Sequence, residues 1–307
     1  MNIENTAVVC KSQSLFKGVF ACLILVIGLI PASQAQLPPT PADDHPQRTE
    51  RIEPFRIIDN IYFVGSRLHY PAWLITGSEG HILIDTTFEE MVPDIVENIN
   101  KLGFKIDDVK YLLASHSHHD HVGGHASMRE ITGAVTMATA EDAAVIESGG
   151  KADFRSSDYW EPAKVDRIIN DLEKIQLGNI ELQAHLTPGH TKGCTTWATQ
   201  VEDQGKKLDV VILCGVRMNT GEELVNNPDY PDLPAEFAYT FAKLKILPVD
   251  IYLGAHGYWF DIEAKLSKLK QEPKENPFID PQGYHRAVNA WEQEYLNRLK
   301  LDRGIGN

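Results

Sequence analysis

Cysteine is scarce in this chain, with four in 307 residues. That excludes a small scaffold held together by a framework of disulfides. Positive charge is in deficit: 29 lysines and arginines face 43 aspartates and glutamates, a formal net charge of −14. Such a balance argues against nucleic acid or an anionic membrane surface as partner. The N-terminal apolar run, Val19–Ile30, is interrupted by Gly28 and broken by Pro31. It falls short of the roughly 20 residues that a membrane-spanning helix needs.

That short run has a different meaning. Lys11 and Lys17 precede it, and Ser33 and Ala35 put small residues at the expected cleavage positions. Residues 1–35 read as a secretory signal peptide cut after Ala35, with an uncleaved anchor as the alternative. The expected location is periplasmic or secreted. Cys10 and Cys22 leave with the signal, and Cys194 and Cys214 remain. An exported pair can bridge. Cys214 ends an apolar strand, however, and a buried free thiol is the simpler expectation. Residues 36–50 are polar and rich in proline and are expected to form a loose lead-in. Residues 51–303 are expected to form one folded domain, acting as a monomer.

Histidine and aspartate are arranged for metal. His116, His118, Asp120 and His121 lie in one run, Ser-His-Ser-His-His-Asp-His, at 115–121. His190 follows in Pro-Gly-His-Thr and His256 in Gly-Ala-His-Gly. Imidazole and carboxylate suit a borderline cation such as zinc. Three ligands per ion leave a position open, as catalytic sites do. Six ligands therefore suit two zinc ions. Residues two apart in an extended segment point the same way, so His116 and His118 can serve one ion. Asp120 and His121 follow a bend and can serve a second. A metal-sticky low-complexity tract is the bland alternative, but Asp120 interrupts the run and the distant histidines recur in glycine-flanked turns. His119 and His125 are expected in supporting roles. His45, His69, His81, His185 and His285 are expected to be ordinary surface or core residues.

The ligands follow strand-like runs at 109–114, 180–186 and 249–253, so they sit on loops at strand ends, where function concentrates. Short strands are also expected near 56–58, 61–64, 72–75, 81–84 and 135–137. Further strands are expected near 174–177, 195–201 and 208–214. Helical spacing marks 88–103, 140–148, 233–246, 262–271 and 284–300. Residues 150–165 read as a surface loop that could cover a site. Strands clustering in both halves, with helices outside, predict two packed sheets in an α+β fold.

The run at 116–121 resembles the His-x-His-x-Asp-His hallmark of the metallo-β-lactamase superfamily. That resemblance implies a four-layer αβ/βα sandwich of two mixed sheets with outer helices. Ile82-Leu-Ile-Asp-Thr is similar to the family's early strand, which implies that Asp85 steadies the metal loop. Thr187–Trp197 resembles the third-histidine turn. The stretches 149–154, 165–167, 227–231 and 247–256 are most similar to class B β-lactamases with His-His-His and Asp-His-His sites. The resemblance implies one zinc on His116, His118 and His190, and another on Asp120, His121 and His256, with Asp120 orienting the attacking hydroxide. It also implies a small-molecule β-lactam substrate, with lactone or thioester hydrolysis as the alternative.

One departure follows Cys214. Lactonases and thioesterases of the superfamily place a metal-bridging aspartate there, whereas this chain reads Cys214-Gly-Val-Arg-Met-Asn. Val216, Met218 and Glu222 also stand where the lactamase subclass has serines and a tyrosine for the substrate. Arg217 and Asn219 are the remaining candidates for substrate contact, and each equally reads as a surface or structural residue.

Overall fold

The computed structural model describes residues 40–155, 158–219, 222–272 and 274–304. The expected signal peptide lies outside them. Alternation of apolar side chains builds the first sheet. It contains β1 (Phe55–Ile58), β2 (Ile61–Phe63), β3 (Trp73–Gly77), β4 (Gly80–Ile84), β5 (Val109–Leu113), β6 (Val135–Ala138) and β7 (Arg167–Ile168), in that order. Neighbours are antiparallel as far as β4 and parallel from there on.

The two-residue period sorts the faces of this sheet. Trp73, Ile75, Ile82 and Ile84 enter the large central core, while Leu74 and Leu83 join a second cluster. That second cluster includes Val92, Ile95 and Ile99 of helix α2 (Val92–Lys101), numbered after the short α1 (Pro46–Thr49). The turn α3 (His119–Val122), then α4 (His125–Thr132) and α5 (Ala140–Ser148), complete this half.

The second sheet contains β8 (Lys174–Leu177), β9 (Ile180–Leu186), β10 (Thr195–Asp203), β11 (Lys206–Leu213) and β12 (Ile251–Gly254). Only β11 and β12 pair in parallel. Helices α6 (Leu233–Leu244), α7 (Ile262–Gln271) and α8 (Pro281–Asp302) contribute Phe237, Phe241, Leu266, Tyr284, Val288 and Trp291 to the same core. The expected α+β sandwich of two mixed sheets with helices is the fold observed.

The sheets are joined beside the ligand loops. Trp197 Nε1 donates to the carbonyl of Ala114 at 3.0 Å. The Thr195 amide donates to the carbonyl of Ser115 at 2.9 Å. These bonds tie the start of β10 to the segment leaving β5. Buried donors and acceptors must find partners, so the bonds also fix the approach of one sheet to the other.

Two expectations are corrected. Cys194 and Cys214 form a disulfide, closing a separation of 20 residues. The reason is tertiary: Cys194 opens into β10 and Cys214 leaves β11, and these strands are paired neighbours. Residues 40–50 are not loose. Gln47 donates to Glu263 at 3.0 Å, Arg48 donates to the Tyr70 hydroxyl at 2.8 Å, and the His69 amide donates to the Gln47 carbonyl at 2.7 Å. His45 caps α1. The short β7 and the 3-10 turn Glu89–Met91 ahead of α2 carried no clear periodicity.

Replacing Cys194 and Cys214 together by serine is expected to lower stability by about 2–4 kcal/mol, the usual worth of closing a loop of this size. A urea unfolding midpoint equal to that of the unaltered chain would contradict this.

Candidate metal centre

Every predicted ligand sits just past the C-terminal end of a strand: β5 for the 116–121 run, β9 for His190 and β12 for His256. The structure brings them into two groups. Ligand atoms of His116, His118 and His190 lie within 4.8 Å of one another, as do those of Asp120, His121 and His256. The groups are adjacent, since the His116 and His121 rings are 4.0 Å apart between centroids. Asp120 Oδ2 lies 3.5 Å from His121 Nε2 and 3.7 Å from His256 Nε2.

Partners hold the far nitrogens of the rings. His190 Nδ1 donates to the carbonyl of Arg217 at 2.7 Å, and His256 Nδ1 to that of His69 at 3.3 Å. His121 Nδ1 meets Asp85 Oδ2 at 3.0 Å. His116 Nδ1 meets Ser115 Oγ at 3.1 Å, and Ser115 Oγ donates to Asp85 at 2.7 Å. A ring that donates from Nδ1 keeps its lone pair on Nε2. The Nε2 atoms of His116 and His121 are buried and have no hydrogen-bond partner. Buried polar atoms without a partner are costly, and a cation with open coordination supplies one. The donor set, five imidazoles and one carboxylate, fits zinc. His118 faces the other way: its Nε2 lies 3.8 Å from Asp153 Oδ2, the acceptor that favours a proton on Nε2 and leaves Nδ1 for the ion, while Arg155 Nη2, which can only donate, sits beside it without orienting that tautomer.

Electrostatics keep five of the six ligands in ligating form, His121 being the exception. Burial and the neighbouring imidazoles push His116 and His118 well below the ordinary histidine value. Burial takes His190 down to about 3 and His256 to about 4. Burial opposes the charge on Asp120, but His121, His256 and His118 outweigh it and hold the carboxyl below its ordinary range. Burial likewise opposes a charged His121, which Asp120 and Asp85 overcome, raising it.

Asp85 lies where the family resemblance implied. Its backbone is left-handed, with φ 64°, an uncommon conformation for a residue with a Cβ. From there its carboxylate accepts the Ser115 amide at 2.7 Å as well as the Ser115 hydroxyl and His121. Arg217 and Asn219 are spent on structure. Arg217 pairs with Glu294 at 3.2 Å, and Asn219 donates to the His190 carbonyl at 3.4 Å. Val216 is buried, Met218 packs on the main core, and Glu222 accepts from the Asn219 amide at 3.3 Å. Gly215 is sterically required: a Cβ there would lie 2.0 Å from Cδ2 of His190.

The remaining histidines divide. His125 Nδ1 bonds Thr86 Oγ1 at 2.7 Å, and His119 stacks on Trp160 at 5.6 Å, so both take supporting roles. His69, expected to be ordinary, stacks on His256 at 4.6 Å and on Tyr258 at 4.8 Å. No local signal marks it, because it approaches His256 from another part of the chain. Asp142 was also missed. It is buried and accepts from the Ser117 hydroxyl at 2.8 Å, bracing the loop between His116 and His118. Its neighbour Thr139 is the N-cap of α5, which is the only local hint.

Burial pushes Asp142 up to about 7. The folded protein then keeps a proton that the unfolded chain releases, so stability falls as pH rises from 3.8 to about 7. Asp142→Asn keeps the acceptor for Ser117 and is expected to flatten that slope. Unfolding midpoints measured between pH 4 and pH 7 would reveal a parallel slope in the variant if the assignment is wrong.

Comparison with known proteins agrees with this geometry. The sequence profile of the metallo-beta-lactamase superfamily matches residues 66–212. The FEZ-1 metallo-beta-lactamase from Legionella gormanii is 39% identical, with a TM-score of 0.80, covering 83% of this chain and 98% of that one. BJP-1, a subclass B3 metallo-beta-lactamase of Bradyrhizobium japonicum, is 32% identical with a TM-score of 0.77, covering 84% and 98%. An N-acyl homoserine lactonase of Bacillus cereus is 26% identical over 190 residues, 52% of this chain and 70% of the lactonase. With its fold, its ligand groups and its near-complete coverage of these enzymes, the chain belongs to the metallo-β-lactamase superfamily.

Proposed function

We propose that this protein opens the β-lactam ring of penicillins, cephalosporins and carbapenems with two zinc ions. The observation that carries the reading is the pair of adjacent three-residue groups in a chain 39% identical to a β-lactamase over nearly that enzyme's whole length. His116, His118 and His190 would hold one ion, and Asp120, His121 and His256 the other. When bound, such ions supply Lewis acidity, which polarises a carbonyl and draws the pKa of water from 15.7 to about 7.

The protein's own groups do the rest. Asp120, kept ionised by its imidazole neighbours, would orient the attacking oxygen by accepting a hydrogen bond from it. The hydrogen bonds behind the rings hold the ligands in place, so little reorganisation is needed as the amide bond breaks. Ser115 and Ser117 are not nucleophiles: their hydroxyls donate to Asp85 and Asp142 at 2.7 and 2.8 Å. Phe88 and Trp160 supply apolar walls.

The lactone or thioester reading draws support from the lactonase relatives. Against it, the metal-bridging aspartate expected just after Cys214 is absent from Gly215-Val216-Arg217-Met218-Asn219. The β-lactam reading also takes the chain as exported and cut after Ala35. Sequencing the N-terminus of the exported protein is expected to start at Gln36, and retention of residues 1–35 would contradict the cleavage.

Purified protein loaded with zinc is expected to bind two equivalents and to hydrolyse a carbapenem, with activity lost to a chelator and regained with zinc. Asp120→Ala is expected to lose at least about 100-fold in turnover and to weaken binding of one equivalent. Hydrolysis of a lactone or thioester but of no β-lactam would overturn the substrate assignment. Full turnover by Asp120→Ala would overturn the role of that residue.

A further inference from the structure

Val216, Met218 and Glu222 leave open which group receives an anionic substrate, and the cations around the centre narrow the choice. Arg217 is committed to Glu294 and Thr40. Lys192 donates to the Asp229 carbonyl at 2.8 Å and lies over the Tyr230 ring at 5.1 Å. Arg48 is held by the Pro41 carbonyl, the Tyr70 hydroxyl and Asp43. Arg155 is different. None of the ion pairs among the described residues involves it, and its Nε is buried without a hydrogen-bond partner. Its guanidinium meets His118 and rests beside the Phe154 ring, 5.4 Å from the centroid.

Arg155 also lines a cavity of about 390 Å³ with His118, Asp120, Asp153, Phe88 and Trp160. Asp158 and His119 line it as well, so the cavity contains the edge of both ligand groups, two aromatic walls, the carboxylates of Asp153 and Asp158, and one guanidinium. A partly buried guanidinium whose Nε has no hydrogen-bond partner is left unsatisfied, which is costly unless an acceptor visits it. The planar fork of arginine matches a carboxylate through two parallel hydrogen bonds, which a lysine does not reproduce. In a bicyclic β-lactam the carboxylate carbon lies only two bonds from the ring nitrogen. A carbonyl placed at the ligand groups therefore brings the carboxylate to their immediate rim, where Arg155 stands.

We propose that Arg155 is the specificity-determining cation of this site, receiving the substrate carboxylate in a two-pronged ion pair. The assignment rests on the β-lactam reading. Phe154 and Lys192 steady its loop: the Phe154 ring is edge-on to Tyr230 at 5.0 Å, and Lys192 lies 5.6 Å from the Phe154 centroid. Asp153, whose side chain accepts from the Arg155 amide at 3.2 Å, shapes the backbone at that point.

The test compares zinc-loaded wild-type protein with Arg155→Ala and Arg155→Lys on a penicillin and on the methyl ester of that penicillin. On the free acid, Arg155→Ala is expected to raise KM about 10- to 100-fold with kcat changed far less, Arg155→Lys falling between. On the neutral ester all three proteins are expected to behave alike. Zinc stoichiometry is expected to remain equal, and the dissociation constant of the ring-opened acid, measured by titration, should rise in parallel with KM. An equal loss on acid and ester, or loss of zinc from the variants, would make Arg155 a support for His118 and overturn the proposal. So would an unchanged KM in Arg155→Ala, or the acid-specific loss appearing in Arg217→Ala instead. A wild-type protein that hydrolyses neither compound would remove the β-lactam reading itself, an outcome separate from an active wild type indifferent to Arg155.

Discussion

The centre depends on one carboxylate. Asp85 leaves β4 in a left-handed conformation and accepts three hydrogen bonds, from the Ser115 amide, the Ser115 hydroxyl and His121. Through Ser115 it also sets the ring of His116. One buried anion thus orients a residue in each ligand group. The backbone strain is tolerated because the surrounding partners over-determine the conformation. The arrangement resembles other metal centres in which a carboxylate behind a histidine fixes its tautomer.

The second sheet must then be delivered to that fixed point. Trp197 and Thr195 bond to the carbonyls of Ala114 and Ser115 beside the first ligand. The Cys194–Cys214 bridge fastens the start of β10 to the end of β11. Between them lie the His190 turn and Gly215, whose missing side chain makes room for the His190 ring. Sheet pairing, bridge and close approach together locate His190 against His116 and His118, at 4.7 Å from each ring centroid. His69 and Tyr258 complete the support on the other flank by stacking about His256.

The same constraint explains why so few polar groups remain for substrate. The serines in the ligand loop are committed to carboxylates, and the segment after β11 satisfies its own backbone through Asn219, Glu222 and Arg298. Recognition therefore falls to the loop opposite, where Trp160 rests on His119 and Arg155 reaches His118. A rigid scaffold holding the reactive groups, with recognition on an adjoining loop, is a common division of labour.

The sequence by itself marked the six residues that the fold gathers into two groups, because spacing within 115–121 and glycine-flanked turns are local properties of a chain. It also determined most strands and helices, since apolar periods of two and about 3.6 are local as well. Resemblance supplied the role of Asp85 and the sandwich. Only the tertiary structure decided that Cys194 meets Cys214, that His69 covers His256, that Asp142 braces Ser117, and that Arg155 rather than Arg217 faces the cavity. Each of those contacts joins segments 20 to 187 residues apart. Pairings at that range arise from how strands are registered and sheets approach, and no short window of sequence contains that information.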